Sequence, residues 1–327
     1  MKYLKDPWQR QSIALVGFAE RHEFAPWLMA LLMLLVALVS FQLIIAPLTI
    51  IALLLMRGVG AQGLVDALIS VMEGDAELML IANTVGQFLG LALPVLVFAR
   101  LSSPSIFRFL RVTRVSPLIL IFSVVGLAAL IPIVDVAAQL NRALPWPESI
   151  REFETLMQEP LRKYLSDRVN LIPGILMIAA TPAICEEVLF RGYVLRQAER
   201  SMGSRWGIVF AGVIFGVFHL LPTQVLPLSL LGLFMAYLTW RTGSVWPAVL
   251  VHFANNTFAV VMTILFSEEN RTPDELEQLD LPIYFVIAGI IVFACSIYLI
   301  ESLARAKLAE RQQYEGPVHE GEVSNED

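Results

Sequence analysis

Glu186, Glu187, His219, His252 and Asn256 are the side chains whose types and spacing could do chemistry, and all five fall in apolar stretches. The two carboxylates stand in Cys185-Glu186-Glu187-Val188-Leu189-Phe190-Arg191-Gly192, directly after the apolar run 171–184. An acidic residue at mid-bilayer costs roughly 2.5–3.5 kcal/mol on insertion scales, so an adjacent pair marks a functional site before anything else. Arg191, one helical turn on, is the local partner of Glu187. Glu186 points about 100° away and has no local counter-charge. His22 and His319 lie in polar ends and receive no role, whereas His219 and His252 sit inside spans. Asn256 follows His252 by one turn and faces the same way.

A carboxylate beside imidazoles can bind and deprotonate water. Burial disfavours the charged form of both groups, which suits general-base work. An Asn amide and a second imidazole can donate to a developing oxyanion. Glu186, His219 and His252 are equally an acceptable ligand set for a catalytic Zn2+ with an open position. The reaction class that uses these parts is addition of water to an amide carbonyl. A polar network that merely ties three helices together through Glu–His and His–Asn hydrogen bonds uses the same residues. No His-Glu-x-x-His pair, intramembrane Gly-x-Ser-Gly or matched pair of membrane aspartates offers another hydrolytic mechanism. A transporter would also use carboxylates and histidines as proton relays, but no two matching broken spans mark a repeat interface.

These residues must be held by membrane helices. Of the 327 residues, 57% are apolar and 16% charged, against about 25% charged in a soluble domain. The expected fold is all-α, a polytopic helical bundle of about eight transmembrane helices. The spans are read at Pro26–Met56, 78–99, 117–140, from Leu171, 206–221, 225–240, 245–266 and 282–303. The first is longer than a signal-peptide apolar region and long enough to need tilt or a kink near Pro47. Asn83 and Gln87, one turn apart, read as interhelical hydrogen bonders before substrate contacts. Asp135 reads as solvated near the outer interface. The mixed-charge stretch 141–170, with Glu152, Glu154, Arg162 and Lys163, reads as an amphipathic surface helix. Cys185 and Cys295 read as small buried hydrophobes. The chain divides into a cytosolic N-terminal segment (1–25, with an interfacial helix), a transmembrane domain (26–305, motif core 170–260) and an acidic disordered tail (306–327).

With the N-terminus in the cytosol, about fifteen Lys and Arg fall on the cytosolic side and about seven on the other, so both termini are expected inside. The net charge of −6 lies largely in loops and tail and argues against a nucleic-acid partner. Counted from a loop between Arg200 and Arg205, Glu186 and His219 both lie roughly 14 residues, or about 20 Å, into the membrane. Asn256 reaches a similar depth from Gly243 and His252 lies one turn shallower. A break at Gly192 or Gly203 would disturb this layer.

Glu186-Glu187-x-x-x-Arg191, Phe215-x-x-x-His219 and His252-x-x-x-Asn256 together resemble the three motifs of the CAAX-protease and bacteriocin-processing (CPBP, or ABI) family, related to the type II CAAX prenyl endopeptidases. Pro182, Gly192 and the run Gly243-Ser244-Val245-Trp246-Pro247-Ala248 agree with it. The likeness covers roughly residues 170–260. It implies an intramembrane endopeptidase that hydrolyses peptide bonds near the cytosolic membrane face. Glu186 would activate water with help from His219, while His252 and Asn256 hold the oxyanion. Glu187 and Arg191 would support them, or Arg191 would hold a substrate carboxylate. The implied partners are the lipid bilayer and a peptide or protein substrate, lipidated or bacteriocin-like. The implied place is a bacterial inner membrane. Zinc or metal-free glutamate chemistry are both open, as is a non-catalytic scaffold or bacteriocin-immunity factor of the same fold.

Overall fold

Proline sets the local shape of the helices that carry the site. The computed structural model describes residues 2–4, 8, 12–165, 171–268 and 282–315. Among these, seven helices are long and apolar enough to cross a membrane. In chain order the main helices are α1 (Pro26–Met56), the short α2 (Leu64–Gly74), α3 (Ala76–Ser102), α4 (Pro117–Arg142), the surface helix α5 (Glu148–Leu165), α6 (Leu171–Phe218), α7 (Pro222–Thr242), α8 (Trp246–Glu268) and α9 (Ile283–Glu315). Three π-helical stretches, Val39–Ile45, Gln87–Ala92 and Ile175–Ala180, each end two residues before a proline: Pro47, Pro94 and Pro182. A proline ring clashes with the carbonyl four residues back and has no N–H to give it, and a wider turn relieves both faults. The kink expected at Pro47 therefore takes the form of a π turn. Ser40 in that turn reaches the Gly90 carbonyl of the matching turn in α3 at 2.6 Å.

α6 accounts for two of the expected spans. Gly203 takes φ 79°, left-handed backbone that a side chain resists, and the helix doubles back there. Phe190 consequently meets both Phe215 and Phe218 edge-on, with ring centroids 5.3 Å apart in each case. Counting the arms 171–202 and 204–218 separately gives the eight passes. The second arm packs on α7 through glycines: a Cβ on Gly212 would lie 2.7 Å from Leu233 N, and one on Gly232 would strike the Gly212 carbonyl. Small residues let membrane helices approach this closely. The main buried cluster, including Phe41, Leu127, Phe190, Tyr193, Phe215 and Phe234, fills the space between these helices.

The two ends of the bundle differ. At the Gly203 end, Arg111 pairs with Glu199 at 2.6 Å, Arg200 with Glu20 at 2.7 Å, and Arg241 with Glu301. The N-terminal segment closes this end as an antiparallel strand pair, Lys2–Leu4 with Ile13–Leu15, rather than as an interfacial helix. Its apolar side decides this: Ile13, Leu15 and Trp8 are buried, with Trp8 against Gly243. At the opposite end, α5 is the amphipathic helix expected from the sequence. Glu154 is buried there and accepts hydrogen bonds from the Thr223 amide, at 3.0 Å, and from the Thr223 hydroxyl. Asn141 Nδ2 donates to Pro222 O at 2.8 Å beside it.

Other expectations change in detail. α9 runs to Glu315, so residues 306–315 continue a helix, and 316–327 lie outside the described residues. Cys185 is buried but Cys295 is exposed on the outer face of α9; neither is in a disulfide. Gln87 is buried with its Oε1 unpartnered, so the Asn83–Gln87 pair does not form the expected interhelical link. Asp135 accepts from Gln139 on its own helix at 2.9 Å.

Candidate active site

Thr181–Glu187 is a short α-helical stretch between two π turns, started by Pro182. It aims its two carboxylates differently. Glu187 is 0% exposed, and its Oε1 accepts from Arg191 at 2.9 Å and from His252 Nδ1 at 2.8 Å. Arg191, also 0% exposed, donates to the Gly232 carbonyl at 3.2 Å and stacks over the Phe215 ring at 4.4 Å. This cluster joins the first arm of α6 to α7 and α8. Arg191 is fully buried within these contacts. The π turn Val188–Val194 contains Arg191 and, unlike the other three, precedes no proline. Such turns recur at functional sites.

Glu186 is half-buried and belongs to none of these bonds; its Oε2 is buried without a partner. Pro182 and Ile178 precede it by one and two turns, so the three share a face of α6. Asn256 Nδ2 donates to the Ile178 carbonyl at 3.1 Å, which brings α8 against this face.

His219 caps the second arm of α6. Its Nδ1 lies 2.7 Å from the Phe215 carbonyl. A carbonyl only accepts, so Nδ1 carries the proton and the neutral ring keeps a free lone pair on Nε2. The Nδ1 of His252 faces a carboxylate and is a donor on the same argument. Phe215 separates the rings, edge-on to His219 at 4.8 Å and to His252 at 5.6 Å. Phe215, His219, Met235, His252, Asn255 and Asn256 line one small cavity of about 30 Å3. That is room for a water, and the walls supply the polar partners it needs. Three of the four residues expected to act together, His219, His252 and Asn256, thus meet at one cavity. Glu186 stands on the neighbouring face of α6. Asn255, which also donates to Asn256 Oδ1 at 3.2 Å, was not foreseen. The only signal for it was its polar side chain in an apolar span.

The Gly203 turn falls inside the connection assumed in the depth count, and no break occurs at Gly192. His219 is therefore about 22–24 Å along its arm from that turn. Both the cavity and a larger apolar chamber beside Ile178 and Pro182 lie toward the α5 end. The arginine-rich end is filled by Tyr193, Gln197, Arg196 and the N-terminal strands.

A metal at Glu186, His219 and His252 would need three donors converging on one point. Among the described residues no group of three His, Cys, Asp or Glu side chains is so placed.

Residues 168–258 match the family model described as Rce1-like, type II CAAX prenyl endopeptidase. The chain is similar to "Putative membrane peptidase YdiL" of Bacillus subtilis (strain 168), 24% identical over 125 residues, which cover 38% of this chain and 49% of the relative. The chain thus spans about half the length of the curated relative it matches. No solved structure matches.

Proposed function

We propose that the chain is an intramembrane endopeptidase of the Rce1-like, type II CAAX prenyl endopeptidase kind whose model residues 168–258 match. Glu186 takes a proton from a water held by the Nε2 lone pair of His219. The hydroxide attacks the substrate carbonyl carbon. The tetrahedral oxyanion receives the second Nδ2–H of Asn256 and, in its imidazolium form, the Nε2–H of His252. Protonated Glu186 then returns the proton to the leaving nitrogen, and the C–N bond breaks. Glu187 and Arg191 position His252 through the bond at Nδ1. What supports this reading is that Glu186 is half-buried, lies outside the Glu187–Arg191–His252 cluster and keeps an unpartnered Oε2, on the helix whose Ile178 carbonyl accepts from Asn256.

The arginine-rich end is assigned to the cytosol, which places both described chain ends there and suits a bacterial inner membrane. The substrate is a membrane-associated peptide or protein, lipidated or bacteriocin-like. Zinc dependence is a separate question for metal analysis of the purified protein. Glu186→Gln keeps the shape and removes the basic oxygen. In proteoliposomes it should abolish cleavage while the protein stays folded. Cleavage that survives the change sinks the proposal. One observation favours a second reading: the Glu187–Arg191–His252–Gly232 bonds already tie three helices together, as a non-catalytic scaffold or immunity factor would need. Such a protein would keep its cellular phenotype with Gln at position 186.

A further inference from the structure

The larger chamber at the α5 end is not used by the hydrolytic groups. It holds about 250 Å3 and is bounded by Ala76, Met79 and Asn83 of α3, Met157 of α5, and Ile178 and Pro182 of α6. Asn83 is its one polar wall residue, and its carboxamide forms no hydrogen bond among the described residues. Two features of α6 link the chamber to the candidate active site. Ile178, Pro182 and Glu186 form one stripe along α6, and helical side chains lean toward the N-terminus, which tips Glu186 over Pro182. Ile178 also carries the carbonyl to which Asn256 donates.

We propose that this chamber is the substrate pocket. It takes the apolar side chain of the residue next to the scissile bond, while Asn83 pairs with the substrate's main-chain amide. The proposal rests on the peptidase reading and extends it: Met79, Asn83 and Met157, all outside residues 168–258, set which peptides are cut. A peptide is the occupant for chemical reasons. A carboxamide offers one acceptor and two donors, which match a peptide unit and would go unused against an acyl chain. One wall is Met157 of the charged amphipathic helix α5, which Glu154 fixes to Thr223.

The test uses the full chain in proteoliposomes and leucine–alanine peptides of about 20 residues, long enough to span, with Gly, Leu, Phe or Lys at a single guest position. First, a photo-reactive phenylalanine analogue replaces Met157 in a Glu186→Gln background, so binding is read without turnover. Cross-linking should favour Leu and Phe guests over Gly and Lys by at least ~10-fold, in the range that apolar pockets discriminate. Adducts to phospholipid alone, or adducts indifferent to the guest, overturn the pocket. Second, Ala76→Phe, which fills the chamber, should lower kcat/KM for Leu and Phe guests ~10-fold or more relative to Gly. Met157→Ala, on the surface helix, should widen tolerance for large guests even if the Ala76 variant fails to fold. An unchanged guest ranking in Met157→Ala overturns the pocket while cleavage itself still supports a peptidase. Guest-dependent cross-linking without cleavage by the unsubstituted chain does the reverse.

Discussion

His252 bonds through Nδ1 to Glu187, at 2.8 Å, and not to the adjacent Glu186. Two neighbouring carboxylates in one motif therefore have separate jobs. Glu187 is spent on charge and hydrogen-bond balance inside the protein. Both keep a buried Oε2 without a protein partner among the described residues, but Glu187 is fully buried in the Arg191–His252 cluster whereas Glu186 is half-buried and outside it.

Removing Glu187 or Arg191 should be a stability lesion. Each variant, Glu187→Ala or Arg191→Ala, leaves its partner buried without compensation, a loss of about 3–5 kcal/mol for such pairs. Thermal unfolding in detergent should show a large drop for both, and the double variant should recover part of it. A Tm within a degree or two of the unsubstituted protein would show that the pair does not hold the fold.

The two histidines should separate by readout. His219 bonds only to the carbonyl of its own helix, so His219→Ala should abolish cleavage with little change in Tm. His252 links two helices through a buried carboxylate, so His252→Ala should lower both activity and Tm. Equal stability losses in the two variants would argue against this division.

The rate of peptide cleavage should fall as pH drops, because a protonated Glu186 cannot accept a proton from water. The limb should read out in kcat on proteoliposomes with a fixed peptide. A flat profile through mildly acidic pH removes Glu186 from the role of base.

Gly203→Ala should destabilise the α6 hairpin by about 1–2 kcal/mol, since φ 79° is disfavoured for any residue with a Cβ. A Cβ there meets no atom within 4 Å, so the effect is backbone strain alone. An unchanged Tm would mean that the turn relaxes freely.

Most of the architecture was legible because membrane spans announce themselves by length and polarity. Pro26–Met56 matches to the residue, and the mixed charges of 141–170 marked the surface helix, which spans Glu148–Leu165. The π turns were less legible, although Pro47, Pro94 and Pro182 were visible markers for three of them. The turn at 188–194 has no such marker. Ile13 and Leu15 were hidden by the basic residues around them, and so was the strand pair that they anchor. At the site, the motifs named the residues but not their pairing. A two-residue acidic run fixes which carboxylate has Arg191 in reach, yet only the packing of α8 decides which one receives His252. The chamber was invisible because its walls come from α3, α5 and α6, far apart in the chain.

The grip of Glu154 on Thr223 has a mechanical consequence. Thr223 lies four residues past His219, in the first turn of α7. The surface helix α5 and the segment that follows His219 are thus fastened together. If the proposed pocket admits a peptide, any displacement of α5 must either release that grip or shift the segment next to His219.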